Sequence, residues 1–110
     1  MNETRIDVFE MLEKEDSTLN QELQTWKNHV YARTGLPREM KELLMLAMCC
    51  VTNHEVGIKS HCKKAYKAGA SREAILDTIL QTALIGGMPA YRRGANAYID
   101  LFYDEKPQNV

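Results

Sequence analysis

Residues 36–51 read LPREMKELLMLAMCCV and carry the strongest structural signal in the chain. Pro37 is of a type that favours the first turn of a helix. Apolar residues then recur three and four positions apart, at Met40, Leu43, Leu44, Ala47, Met48 and Val51. The opposite face is also apolar, with Met45, Leu46, Cys49 and Cys50. A helix that is apolar on nearly all sides is buried on nearly all sides. This segment therefore predicts a helix at the centre of a bundle or at a subunit interface.

Five further helices are predicted around this central one, and no segment alternates as a strand would. Two precede it, over about residues 5–15 and 17–34, with Asp16 and Ser17 as N-cap types between them. Thr52 and Glu55 have the spacing of a capping box, which predicts a helix over 54–68. Gly86-Gly87 is predicted to end a fifth helix that starts after Ser71, and Pro89 to open a sixth. The fold class is all-α, in one six-helix domain over residues 1–110 with a frayed tail at 104–110.

Composition excludes several classes of protein. The chain has 110 residues, which is one domain, and its formal net charge of −1 leaves no basic surface for nucleic acid or an anionic membrane. The longest apolar run is 43–51, far short of the ~20 residues that a membrane span needs. The first residues, MNETRIDVFEMLEKED, are too acidic for a signal peptide. Three cysteines, two of them adjacent, do not suit a disulfide framework. We expect a cytoplasmic protein.

The segment TNHEVGIKSHCKKAYKAGAS, residues 52–71, holds the most informative polar residues. His61 lies between Ile58 and Ala65 on one helical face, so its ring points toward the core. It is either a core histidine with one satisfied hydrogen bond or a general acid or base in a small apolar pocket. His54 is about 10 Å from His61 along the helix axis, too far for both to bind one metal, so no metal site is predicted.

Other polar side chains leave similar alternatives. Glu42 interrupts the apolar central helix and is either an ordinary partner of Arg38 or Lys41 or a functional carboxylate. Each cysteine is expected to pack as a small hydrophobic residue, although Cys62, with lysines nearby in sequence, is a candidate reactive thiol. The basic pair Arg92-Arg93 lies on a solvated face or holds a substrate carboxylate.

Residues 36–98 resemble the carboxymuconolactone decarboxylase and alkyl hydroperoxidase D superfamily. The pieces that carry the resemblance are KEL before an apolar helix, a histidine followed by K-A-x-x-A-G-A, then S-R-E-A-I and G-G-M-P-A. The resemblance implies the all-α fold of the alkyl hydroperoxidase D-like type. It also implies assembly of small helical subunits into a homo-oligomer, a trimer or a hexamer.

The resemblance also implies which residues form the site. The redox branch has a glutamate, a C-x-x-C pair and a histidine, which fall here on Glu42, on His54 and Gly57, and on His61. A C-x-x-C mechanism needs a second thiolate to resolve the mixed disulfide, and Gly57 has no side chain to supply one. The decarboxylase branch lacks the cysteines and keeps the histidine. It implies that His61 carries protons, that Glu42 orients it, and that His54 is a second proton carrier.

Three functional hypotheses remain. The first is a decarboxylase-like enzyme without metal or organic cofactor, in which Lys59 or Arg92 binds the carboxylate of a small substrate. The second is an antioxidant, peroxiredoxin-type enzyme that uses Cys50 or Cys62 in place of the missing thiols. The third is an oligomeric family member without catalytic activity.

Overall fold

The computed structural model describes residues 5–104, and these form five α-helices and no strand. The helices are α1 (Val8–Glu15), α2 (Ser17–Ala32), α3 (Arg38–Thr52), α4 (Glu55–Lys67) and α5 (Arg72–Phe102). The all-α class is confirmed, whereas the expected count of six helices is wrong. No helix within residues 5–104 is both long enough and apolar enough to cross a bilayer. Most of the predicted frayed tail, residues 105–110, lies outside the described residues.

The contacts of the chain separate into two compact units, Met1–Gly35 and Leu36–Val110. In the first unit, Asp7 and Asp16 cap α1 and α2 by accepting hydrogen bonds from backbone amides of the first turns. Neither helix contains a buried residue, and Trp26 is 68% exposed. Most apolar side chains of this unit, Leu19, Leu23 and Val30 among them, are therefore exposed.

The second unit is built around α3, which packs against both α4 and α5. Its core consists of Leu46 and Cys50 from α3, Ile58, Cys62 and Ala65 from α4, Ile75, Ile79 and Ala97 from α5, and Ala70. The position of α3 at the centre of a bundle follows the prediction from its apolar residues. One stripe of α3 nevertheless stays exposed, at Met40, Leu44, Met48 and Val51.

The break between α3 and α4 lies at Thr52 and Asn53, as predicted, but the residue that caps α4 differs from the prediction. The capping box at Thr52 and Glu55 is wrong, because Thr52 is the last residue of α3 and its hydroxyl donates to the carbonyl of Met48 at 2.8 Å. Asn53 takes the left-handed conformation (φ 61°, ψ 45°) that ends α3. His54 is the N-cap of α4 instead, and its Nδ1 accepts a hydrogen bond from the amide of Gly57 at 2.9 Å.

The predicted fifth and sixth helices form one element, α5, which turns back on itself at Gly87. There the backbone has φ 76° and ψ −174°, a combination that is essentially restricted to glycine. Helical geometry resumes at once, so no loop separates the two arms and the count falls to five. The arms lie side by side, because Nε of Arg72 donates to the hydroxyl of Tyr98 at 2.8 Å. In a straight helix these residues would be about 39 Å apart.

Candidate active site

Glu42 is a buried carboxylate near the start of α3, with only 1% of its surface exposed. Its Oε2 accepts a hydrogen bond from Nε of Arg38, one helical turn earlier, at 3.1 Å. A buried charge is costly unless it is paired and hydrogen-bonded. The guanidinium group supplies that pairing, so Glu42 is present as a carboxylate that only accepts hydrogen bonds.

His61 faces Glu42 from α4. Its Nδ1 lies 2.7 Å from the second carboxylate oxygen, Oε1, and the side chain is 12% exposed. Since the carboxylate is an acceptor, Nδ1 carries the proton and donates, and the lone pair of the neutral ring is on Nε2. The carboxylate thus fixes the tautomer and the orientation of the ring. This is the relation of acid to imidazole in general-base sites.

For Glu42 and for His61, the structural interpretation and the functional interpretation are compatible. Glu42 pairs with Arg38, as an ordinary helical glutamate would, and with His61 at the same time. His61 is a largely buried histidine with one satisfied ring nitrogen, as a core histidine would be. Its other nitrogen, Nε2, is nonetheless available for chemistry. The sequence predicted Arg38 only as a possible ion-pair partner of Glu42. It did not predict that Arg38 lies next to the site.

His54 is the third predicted site residue, and the structure gives it a structural role. It is exposed, and its Nδ1 is occupied by the amide of Gly57. A proton on that nitrogen would break the cap, so proton transfer is left to Nε2. His54 also lies seven residues before His61, about 10 Å along the axis. The structure therefore brings Glu42 and His61 into contact and places the ring of His54 against Gly57, one helical turn before His61.

At Gly57, the space that a side chain would occupy is already filled by neighbouring side chains. A Cβ atom added there would be 2.4 Å from Nδ1 of His54 and 2.6 Å from Sγ of Cys49, closer than real Cβ atoms come. The side-chain space of this position, where the redox branch has its second cysteine, is thus taken by the ring of His54 and the thiol of Cys49. Sequence reasoning missed Cys49. Its place seven residues after Glu42, on the same face of α3, was the available signal.

The two predicted candidate thiols are both buried. Loss of solvation in the core raises the pKa of Cys62 to about 11. The pKa of Cys50 is also raised to about 11, mainly by burial, further by the neighbouring thiols, and against a smaller opposing effect of Arg93. Burial raises the pKa of the half-buried Cys49 as well. A reactive cysteine requires a lowered pKa and access to solvent, and the two predicted candidates, Cys50 and Cys62, have neither.

We expect the native protein at pH 8 to resist alkylation at Cys50 and Cys62. With a pKa of about 11, roughly one thiol in a thousand is ionised at that pH, and both side chains are covered. Iodoacetamide followed by mass spectrometry should modify Cys49 alone, slowly, and all three cysteines after denaturation. A Cys49→Ser variant is the control and should stay unmodified when native. Rapid modification of Cys50 or Cys62 would restore the antioxidant hypothesis.

Lys59 and Arg92 are the two cations predicted to bind a substrate carboxylate. Lys59 is two residues before His61 on α4, about 200° around the helix, and it pairs with Asp100 of α5 at 3.6 Å. This geometry does not place it beside His61, and its role as a substrate-binding cation stays a prediction. Arg92 is exposed on α5. Its neighbour Arg93 donates to the carbonyl of Cys50 at 2.8 Å and so caps the end of α3.

No metal site is found among residues 5–104, where no three His, Cys, Asp or Glu side chains are grouped so that they could hold an ion. The chemistry that this part of the chain offers is that of a carboxylate, an imidazole and a guanidinium in contact. Such a group can orient and transfer a proton at Nε2 of His61.

The fold and the site together define a small all-α protein with a carboxylate-bound histidine between two packed helices. The sequence profile described as the carboxymuconolactone decarboxylase family matches residues 19–100, most of the chain. The protein belongs to this family.

Two curated relatives are similar to the chain. One is a protein of Acinetobacter baylyi named 4-carboxymuconolactone decarboxylase, 25% identical over 75 residues, which cover 68% of this chain and 56% of the relative. The other is an uncharacterized 15.0 kDa protein of Paracoccus denitrificans, encoded in an nqo9–nqo10 intergenic region. It is 26% identical over 85 residues, which cover 76% of this chain and 63% of the relative. The chain thus spans less than two thirds of either relative. No solved structure matches it significantly.

Proposed function

We propose that the protein is a decarboxylase-like enzyme in which His61 transfers a proton to or from a small carboxylated substrate. The observation that supports this most directly is the 2.7 Å contact between Nδ1 of His61 and Oε1 of Glu42. That contact leaves the lone pair of Nε2 on a ring that is neither fully buried nor freely exposed. Imidazole in such a setting is the usual general acid and base of enzymes near neutral pH.

The proposed reaction needs one proton carrier and one orienting group. Nε2 of the neutral ring first takes the proton of the substrate's carboxyl group, loss of CO₂ then leaves a carbanion or enolate, and the imidazolium returns the proton to that carbon. Glu42 balances the positive charge that the ring bears in that state and holds the ring in place. No metal or organic cofactor takes part in the proposal.

The name of the relative from Acinetobacter baylyi supplies a first substrate to test, 4-carboxymuconolactone. Release of CO₂ from it by the purified protein, measured against a His61→Asn variant, tests the proposal. Arg38 and His61 each bind a different oxygen of the Glu42 carboxylate. Arg92 remains a proposed cation for the substrate carboxylate.

We also propose that the protein is a homo-oligomer in a reducing, cytoplasmic compartment. The turn of α5 carries very exposed apolar side chains, with Leu84 77% and Ile85 83% exposed, and Met88 follows them. Ile85 lines a cavity of about 480 Å³ whose walls are mostly apolar, together with Met48 and Val51 of α3. A continuous apolar surface of this kind on a small domain marks an interaction site.

Sedimentation equilibrium at micromolar concentration should therefore show a mass above 12.6 kDa, a trimer or hexamer being expected. Ile85→Glu should lower the association, because the charge would be buried in the subunit interface. Lys63→Glu is the matched control, since it changes an exposed position on α4. A monomeric wild-type protein would contradict the proposal.

A further inference from the structure

We propose that Arg38 is a positioning residue that keeps the reactive nitrogen of His61 unprotonated. Nε of Arg38 and Nδ1 of His61 bind the two different oxygens of the Glu42 carboxylate, at 3.1 and 2.7 Å. In this proposal Arg38 acts on the imidazole through the carboxylate and does not contact the ring itself. The catalytic meaning of this inference rests on the proposed function, but the protonation state that it concerns is measurable by itself.

The charges of the three groups explain why the guanidinium is needed. Glu42 is 1% exposed, and an ionised carboxylate so far from water requires a cation or several donors. Arg38 provides the positive charge, and it remains a cation at any pH at which proteins fold. With that charge in place, the pair of Arg38 and Glu42 is neutral, and His61 does not have to be protonated to balance the carboxylate.

Without the guanidinium, the negative charge of the buried Glu42 carboxylate lacks a cation. Two changes of protonation in Glu42 and His61 would compensate for it. In the first, His61 takes up a proton from solvent and forms an imidazolium, protonated on both nitrogens, against the carboxylate. In the second, Glu42 takes up the proton and donates from Oε1 to Nδ1, and the ring proton then resides on Nε2. The lone pair of Nε2 is absent in both states. Either one would remove the general base at neutral pH.

The position of Arg38 is hard to explain by helix stability alone. It is the first residue of α3, where the helix macrodipole disfavours a cation. A basic residue four positions before an acidic one is also the weaker orientation for a helical ion pair. Its side chain is 60% exposed, so it contributes little to the core. Contact with the buried carboxylate is a feature of this position that the structure does explain.

The test is nitrogen NMR of protein labelled with ¹⁵N in its histidine rings, recorded at pH 8, where ordinary histidines are neutral. His61→Asn identifies the His61 signals. In the wild-type protein we expect a protonated Nδ1 and an unprotonated Nε2 for His61. His54 is an internal reference with the opposite tautomer, because its Nδ1 accepts a hydrogen bond from the amide of Gly57.

Arg38→Gln should abolish the unprotonated Nε2 signal of His61, through either of the two states above. Arg38→Lys keeps the charge and should retain the signal. Lys59→Gln is the matched control, since it removes a cation from the other side of α4 and should change nothing at His61. Arg38→Met is a second uncharged variant that keeps the aliphatic stem.

Two results would overturn the inference. One is a folded Arg38→Gln or Arg38→Met protein in which Nε2 of His61 is still unprotonated. The other is unfolding of both uncharged variants, which would assign Arg38 a purely structural role. Failure of the proposed function is distinguishable, since it would show as a wild-type protein with the expected tautomer and no turnover.

Discussion

A His61→Asn variant is expected to turn over 4-carboxymuconolactone at least about 100-fold more slowly than the wild-type protein, because positioned general acids and bases contribute about 10²–10⁴-fold. Asparagine is close to histidine in size and can still donate a hydrogen bond to Oε1 of Glu42. It cannot take up or release a proton near neutral pH. The loss should therefore appear in kcat, measured as CO₂ release under saturating substrate, with KM changed much less.

His29→Asn is the matched control for this variant. His29 lies exposed on α2 and makes no contribution to the proposed chemistry, so its replacement should leave kcat unchanged. Thermal unfolding of both variants shows whether the fold is intact. A folded His61→Asn protein with full activity would reject the catalytic role of His61. A wild-type protein that releases no CO₂ from this lactone or from other small carboxylated compounds would favour the non-catalytic hypothesis.

The helices could be predicted because each rule involved acts over a few residues. The apolar spacing of α3 and the N-cap at Asp16 depend on neighbours three or four positions away. The count of six helices failed for a subtler reason. The sequence indicated a break at Gly86-Gly87, but whether two arms are joined by a loop or by one glycine depends on how they pack. In α5 the arms touch directly, with Gly94 so close to Ile79 that an added Cβ would collide with it.

The start of α4 shows a second limit. Thr52 and Glu55 fit the capping pattern by residue type, yet a histidine two residues after Thr52 fills the capping position. Histidine is not among the residues that the capping rules favour, because its ring acts as an acceptor only in one tautomer. Whether Thr52 or His54 caps α4 depends on where α3 ends. Because Asn53 takes the left-handed conformation, α3 ends only after Thr52, and His54 is then in the capping position.

For the site, periodicity showed that His61 points inward and could not show what it meets. The contact with Glu42 joins two helices, and no rule about spacing along one helix predicts it. The resemblance to a family supplied Glu42 as the partner. Lys59 is two residues before His61, and two such residues on a helix differ by about 200° in direction. Spacing alone therefore predicts that the two side chains diverge, while the role of Lys59 in binding a substrate carboxylate stays a prediction.

The second large effect is expected for Glu42→Gln, which should lower kcat by a factor approaching that of His61→Asn. A neutral amide can donate to Nδ1 as easily as it accepts from it, so it no longer fixes the tautomer, and it does not balance the charge of a protonated ring. Replacing the acid of a catalytic triad by its amide is costly for this reason. Stability should fall only modestly, by about 1–2 kcal/mol, since the amide fills the same volume and Arg38 can turn to solvent.

Combining the two substitutions separates a joint role from two independent ones. If Glu42 acts through His61, the double variant Glu42→Gln/His61→Asn should be no slower than His61→Asn alone, because the acid has nothing left to orient. Multiplication of the two single losses would mean that Glu42 contributes to turnover by a route that bypasses the imidazole. Lys41→Gln, next to Glu42 in sequence, is the control for a change of charge at this end of α3. Only a strongly non-additive cycle is consistent with a carboxylate whose effect on the reaction passes through the 2.7 Å contact to Nδ1.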